Sequence, residues 1–211
     1  YAFGGLVSDE DFGIHLTDAP ALELAQLWQD MVFKDRSAIP SNSHDDFFNK
    51  KVAMVFGSTG SMGNVYSRAD FQVISAFLPG QKQNLVPVGG AVIAMPKTGD
   101  TWKQWAAWEF LKYFTGTESQ AYLARQTGYM PNSYSASKDP ELVAYYDANP
   151  QWKVAIDQLN YVRPQASVIS LPKGTAILQQ MVEKLIIANR DVKTVMEETT
   201  ADLKKEYNDN Y

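Results

Sequence analysis

Cysteine is absent from the 211 residues, which excludes disulfide frameworks, thiol nucleophiles and Cys-ligated zinc together. Histidine is scarce. His15 and His44 are the two present, and neither shows the paired spacing of a helical metal site or an evident Asp/Glu network. Both read as structural or surface residues, and neither a metal nor a cofactor is expected. Positive charge is in deficit, with nineteen Lys and Arg against twenty-four Asp and Glu and a net charge of −5. That is the wrong sign for a surface that neutralises phosphates along a duplex, so nucleic acid is not an expected partner. No apolar run approaches the ~18 residues of a membrane span. Internal repeats and low-complexity tracts are missing as well. The chain begins at Tyr1 without methionine, signal peptide or basic arm, which reads as a processed or truncated start.

What is present is an ordinary globular composition, 45% hydrophobic and 20% charged. At about 150 residues per domain, this length gives one large domain or two small ones, with roughly 70% of the unfolded surface available for burial. Aromatic side chains are plentiful: five Trp, eleven Tyr and ten Phe make 12% of the chain. Some are expected to line a binding surface.

Helix and strand signals alternate in the first half. Thr17-Asp18-Ala19-Pro20 predicts a helix start, with Asp18 accepting orphan amides and Pro20 tolerated in the first turn. Leu24, Leu27, Trp28, Met31 and Val32 follow at helical spacing as its core stripe. A short helix is predicted from Asp45 to about Lys50. Three buried strands are predicted over 51–56, 71–77 and 89–96, the first running straight into Gly57-Ser58-Thr59-Gly60-Ser61-Met62-Gly63. From Asp100 an aromatic helix carries Trp102, Trp105 and Trp108 as packing residues and ends near Thr115-Gly116 in a left-handed glycine cap. Helices are also predicted over 118–126, 140–148, 151–159 and 175–188, and from Asp191 onward. The fold class is α/β.

Few residues offer chemistry. No serine lies in G-x-S-x-G, and the glycine loop lacks the Gly-Lys-Ser/Thr ending of a phosphate-binding Walker loop. The acidic clusters Asp9-Glu10-Asp11, Asp45-Asp46 and Glu197-Glu198 define no acid/base pair and read as solvated. They leave a carbohydrate-active hydrolase using paired carboxylates as the alternative reading. If a short helix runs from Ser61 or Gly63 to Arg68, the loop amides and the hydroxyls of Ser58, Thr59 and Ser61 converge on its start, suited to a phosphate, a carboxylate or a sugar hydroxyl. A plain strand-to-helix turn is the competing reading. Gly89-Gly90 either permits close approach of a ligand or accommodates a bend. Tyr129, in the turn Gly128-Tyr129-Met130-Pro131, is placed to present its phenol. Arg163 is the cation to watch, although a surface arginine is the simpler reading.

Four stretches, in this order, resemble the extracellular solute-binding proteins of ABC importers, the maltose-binding-like class and especially its glycerol-3-phosphate-binding branch. They are Phe3-Gly4-Gly5 with Asp9-Glu10-Asp11 and the helix that follows, then Lys51-Val52-Ala53-Met54 with the glycine loop, then Val88-Gly89-Gly90-Ala91 with Ala107-Trp108-Glu109-Phe110-Leu111. The last is Thr127-Gly128-Tyr129-Met130-Pro131. The resemblance implies the type II periplasmic-binding-protein fold, in which two α/β lobes close over a ligand and no bond is made or broken. It covers the later part of such a chain, so an N-terminal portion of ~150 residues is expected to be absent. By the same likeness, residues 1–85 form the first part of the C-terminal lobe, 86–130 cross to the other lobe, and 131–211 make a helical return.

Carried over by the resemblance, the ligand contacts fall on Ser58, Thr59, Gly60 and Ser61, on the Gly90 backbone and on the Tyr129 hydroxyl, in an interlobe cleft. The implied ligand is a small-molecule solute: a sugar, a polyol or a glycerol phosphate derivative. The glycerol-3-phosphate branch also uses a late arginine, but the matching stretch here, Ser167-Val168-Ile169-Ser170-Leu171-Pro172-Lys173-Gly174, has none. Lys173 is a point charge without the planar fork that grips phosphate. Other implied features are membrane permease subunits as partners, a monomer at full length, and a periplasmic or extracytoplasmic location, with a lipid anchor before processing left open.

Overall fold

Asp residues ahead of the apolar periodic runs start several of the helices, because a carboxylate can accept the backbone N–H groups that the first turn leaves unpaired. Asp100 accepts the amides of Trp102 and Lys103 at 3.0 and 3.1 Å, Asp139 those of Glu141 and Leu142 at 3.0 and 3.1 Å, and Asp191 that of Thr194 at 2.8 Å. The computed structural model describes residues 1–211. In chain order its elements are α1 (Ala19–Gln29), α2 (Asp45–Phe48), α3 (Met62–Arg68), β1 (Val86–Pro87), α4 (Thr101–Phe114), α5 (Thr117–Thr127), α6 (Tyr134–Ser137), α7 (Pro140–Ala148), α8 (Lys153–Gln158), β2 (Val162–Arg163), α9 (Gly174–Ile186) and α10 (Val192–Asn210). A π-helical turn, Asp30–Lys34, extends α1, and a 3₁₀ turn, Thr59–Ser61, leads into α3.

The chain divides into two units. One comprises Tyr1–His44, Leu78–Gly89 and Tyr161–Tyr211, the other Asp45–Phe77 and Gly90–Asn160. These crossing points differ from the edges at 85/86 and 130/131 expected from sequence. In the first unit α1, α9 and α10 bury a cluster that includes Leu16, Ala25, Val168, Met181, Leu185, Val195 and Leu203. β1 and β2 form a parallel ladder pairing Val86 with Val162 and Pro87 with Arg163. In the second unit α5 and α7 pack Ala121, Ala124, Leu142 and Tyr146 around Trp152, with Met62 and Tyr66 of α3 against them.

Several expectations are corrected. Residues 51–56, 71–77 and 89–96 join no ladder. A strand is completed by a ladder with a neighbouring strand, and these segments form none; Met54, Phe56, Ile74 and Val92 on them are exposed. Helix α4 carries its tryptophans at helical spacing, as a packing face would, yet it buries no residue, and Trp102, Trp105 and Trp108 are 79%, 58% and 52% exposed. On α1 the buried residues are Ala25 and Gln29, whereas Leu27 of the expected stripe is exposed. Ala25 and Gln29, four residues apart, share the buried face, and Gln29 donates to the carbonyls of Leu185 and Arg190 at 3.1 and 2.6 Å. Gly116 has φ −67° and opens α5, so it is no left-handed cap. That conformation falls on Gly128, with φ +92° at the end of α5.

Candidate functional site

The glycine loop is a helix entry. The Ser58 hydroxyl accepts the Gly60 amide at 3.3 Å, and the Ser58 carbonyl accepts both the amide (2.9 Å) and the hydroxyl (2.6 Å) of Ser61. Three residues thus close one 3₁₀ turn, and Met62 continues it as α3. Ser58 is exposed and Thr59 half-buried.

A second turn, from the end of α5, meets this loop inside the same unit. The Gly128 amide bonds the Ala124 carbonyl at 3.0 Å. The Thr127 hydroxyl donates to the Leu123 carbonyl at 2.7 Å and accepts the Tyr129 amide at 3.1 Å. The left-handed Gly128 then throws Tyr129 out of the helical path. Glycine is needed at three places along the contact. A Cβ on Gly128 would overlap the Thr59 carbonyl oxygen, one on Gly63 would overlap the Gln126 carbonyl oxygen, and one on Gly60 would fall 2.5 Å from Cε2 and 2.6 Å from Cζ of Tyr129. The bare backbone of Gly60 therefore lies directly on the Tyr129 ring, which is 42% exposed.

Ser58, Thr59, Gly60, Ser61 and Tyr129 are thus brought together. Gly90 is not shown beside them: it is exposed, and no atom lies within 4 Å of where its Cβ would be. The geometry adds Thr127 and Gly128, which set the path into Tyr129. Their trace in the sequence is the Thr-Gly pair closing a helical period.

The other candidates are engaged elsewhere. Arg163 sits in the β2 ladder and donates to the Val162 carbonyl at 3.0 Å. The Lys173 side chain is exposed, with Nζ 4.0 Å from Glu206. The acidic clusters are more than solvated faces. Asp46 pairs with Lys51 at 3.0 Å, Asp45 with Arg68 at 3.2 Å, and Glu198 with both Arg190 (2.6 Å) and Lys184 (3.1 Å). Those two cations hold the Glu198 carboxyl down at about 2, chiefly through the Arg190 hydrogen bond. His15 does have the carboxylate network that the sequence did not reveal, bonding both Asp9 and Asp18. No three His, Cys, Asp or Glu side chains form a group able to hold a metal ion, and no helix is long and apolar enough to cross a membrane.

Residues 3–154 match the model of the family described as bacterial extracellular solute-binding protein. The sn-glycerol-3-phosphate-binding periplasmic protein UgpB of Salmonella typhimurium is 28% identical over 123 residues, which is 56% of this chain and 28% of that protein. The UgpB of Rhizobium meliloti is 26% identical over 121 residues, 54% of this chain and 28% of the relative. Among solved structures, UgpB from Mycobacterium tuberculosis in complex with glycerophosphocholine superposes with a TM-score of 0.90 at 27% identity, covering 98% of this chain and 53% of that one. Maltose-bound MalE3 of T. maritima gives 0.80 at 20% identity, covering 97% and 55%, a likeness of fold. The chain spans about half the length of these solved relatives, and its fold is the corresponding part of the α/β, type II periplasmic-binding-protein fold. The family match over most of its residues makes this chain a member of the bacterial extracellular solute-binding proteins.

Proposed function

We propose that the protein containing this chain is the substrate-binding component of an ABC importer. It captures a carbohydrate or a glycerol-phosphate-like solute outside the cytoplasm, in the periplasm where its UgpB relatives are named, and hands it unchanged to membrane permease subunits. The observation that carries this reading is the seating of Gly60 against the Tyr129 ring. It puts an aromatic face, a phenol and a hydroxyl-bearing loop within one small region, which is the equipment for hydrogen-bonding a polyhydroxylated solute. Ligand contacts are assigned to Ser58, Thr59, Gly60, Ser61 and Tyr129, with the Gly90 backbone as a further contact.

Between phosphorylated and neutral solutes, the chemistry favours the less charged. A phosphomonoester carries between one and two negative charges near neutrality and calls for a fork such as arginine. The stretch leading into α9 offers Lys173, with Glu206 4.0 Å away. A glycerophosphodiester, with its single charge, or an uncharged sugar asks for less. The glycerophosphocholine bound by the M. tuberculosis UgpB is a ligand of that kind.

Unpartnered apolar surface in the second unit supports a longer parent protein. Met54, Phe56, Ile74 and Val92 on unpaired extended segments, together with the tryptophans of α4, are exposed to 52% or more, and the remaining length of the family's chain would cover them. Proteins of the full family length are tested against glycerophosphocholine, sn-glycerol-3-phosphate and maltose by thermal melting, with product analysis of the same samples. A raised Tm with intact solute supports the binder. Release of cleaved product supports the hydrolase instead.

A further inference from the structure

His15 is held between two carboxylates in the first unit. Nε2 lies 3.1 Å from Asp9 Oδ2 and Nδ1 3.0 Å from Asp18 Oδ2. An ionised carboxylate only accepts, so both bonds exist together only when both ring nitrogens carry protons, that is, in the imidazolium. The two partners are not equally fixed. Asp9 Oδ1 accepts the amides of Asp11 (3.0 Å) and Gly13 (2.7 Å), a bridge between Ser8 and Ile14 closes the turn, and the Asp9 carbonyl accepts the Ser167 hydroxyl at 2.5 Å. Asp18 stands at the N-cap position of α1, yet its carboxylate makes no capping bond because it faces His15 instead.

We propose that His15 is a proton-operated clasp between the Asp9 turn and the start of α1. Protonated, it holds Asp9 and Asp18 at once. Neutral, it has a single N–H, keeps the preorganised Asp9, and releases Asp18 to accept the Ala21 amide as an ordinary N-cap. That amide already bonds the Asp18 carbonyl at 3.0 Å, so the carboxylate needs only to swing back over its own turn.

The charged groups acting on the ring are Asp9 and Asp18. Glu10 and Asp11 lie on the same turn. The packed segment Ser167–Ser170 contributes hydroxyls through Ser167, and α10 and the residue after it contribute the rings of Tyr207 and Tyr211, which lie against Phe12. The hydrogen bond to Asp9, then that to Asp18, raises the His15 pKa above its ordinary 6.5. A raised histidine stabilises the fold fully below 6.5 and loses that contribution as pH rises through the folded-state value. The clasp therefore opens on the alkaline side of 6.5.

NMR titration of the 211-residue chain from about pH 5 to 9 reads the clasp directly, with His44→Gln used to assign the two imidazoles. The expected result is a His15 midpoint above 6.5, with the Ala21 amide shifting at that same midpoint and the Gly13 amide, held by Asp9 throughout, staying put. Asp18→Asn lowers the midpoint and abolishes the Ala21 shift. A His15 midpoint at or below 6.5, or an Ala21 amide indifferent to it, overturns the proposal.

Discussion

Replacing Gly128 by alanine probes the contact on which the candidate site rests. Two costs add there. The first is conformational: at φ +92° an L-residue is in the left-handed region, at about 1–2 kcal/mol. The second is steric, because the new methyl meets the Thr59 carbonyl, lies 2.8 Å from Met62 Cβ and 3.2 Å from Trp152 Cζ3. None of these is the loose end of a flexible chain, and overpacking of this kind costs about 1–3 kcal/mol. Gly128→Ala should therefore destabilise the second unit by about 2–5 kcal/mol. Gly99 supplies the internal control. Its φ is +75°, and nothing lies within 4 Å of its Cβ position, so Gly99→Ala carries the conformational cost alone. Urea unfolding, followed by circular dichroism and tryptophan fluorescence, measures both variants. Equal losses for the two, or a loss under about 0.5 kcal/mol at Gly128, would refute the close approach of the α5 turn to the Ser58 loop.

Two further outcomes test the first unit. Leu203 is fully buried where α10 meets α9 and α1, so Leu203→Ala should cost about 2–5 kcal/mol in the same denaturation experiment. Glu198, held down to about 2 by Arg190 and Lys184, favours the fold while ionised. Its contribution is present above the ordinary 4.5 and disappears as pH falls through about 2. The stability gap between the wild type and Glu198→Gln should thus close across that window, and a carboxyl titrating at 4.5 by NMR would contradict the pairing.

The sequence carried the helices well because their starts and stops are written locally. Asp100 and Asp191 start helices where the sequence places those starts, whereas Asp18, expected to accept the amides that open α1, makes no capping bond; the glycine loop opens α3 as its hydroxyls and glycines suggest. What sequence misjudged depends on partners. The three apolar segments have strand composition, but a ladder needs a second strand alongside, and none of the three belongs to one. The tryptophans of α4 carry the pattern of a packing face, yet their exposure depends on whether a second surface is present. The His15 network escaped notice because Asp9 comes within 3.1 Å only after the Ser8–Ile14 bridge folds the turn back. In the candidate site, the Ser58 loop and the Tyr129 turn are each visible in the sequence as local motifs. Their contact is not, since it depends on the path that Gly128 gives the chain.

Calorimetric titration of the full-length parent with glycerophosphocholine or maltose tests the central claim most directly when the wild type is compared with Tyr129→Phe and Ser58→Ala. Loss of one neutral hydrogen bond is worth about 0.5–1.5 kcal/mol, so each variant should bind whichever solute the wild type takes up roughly 2- to 13-fold more weakly. Affinities unchanged in both variants would contradict a ligand held by this loop and this phenol.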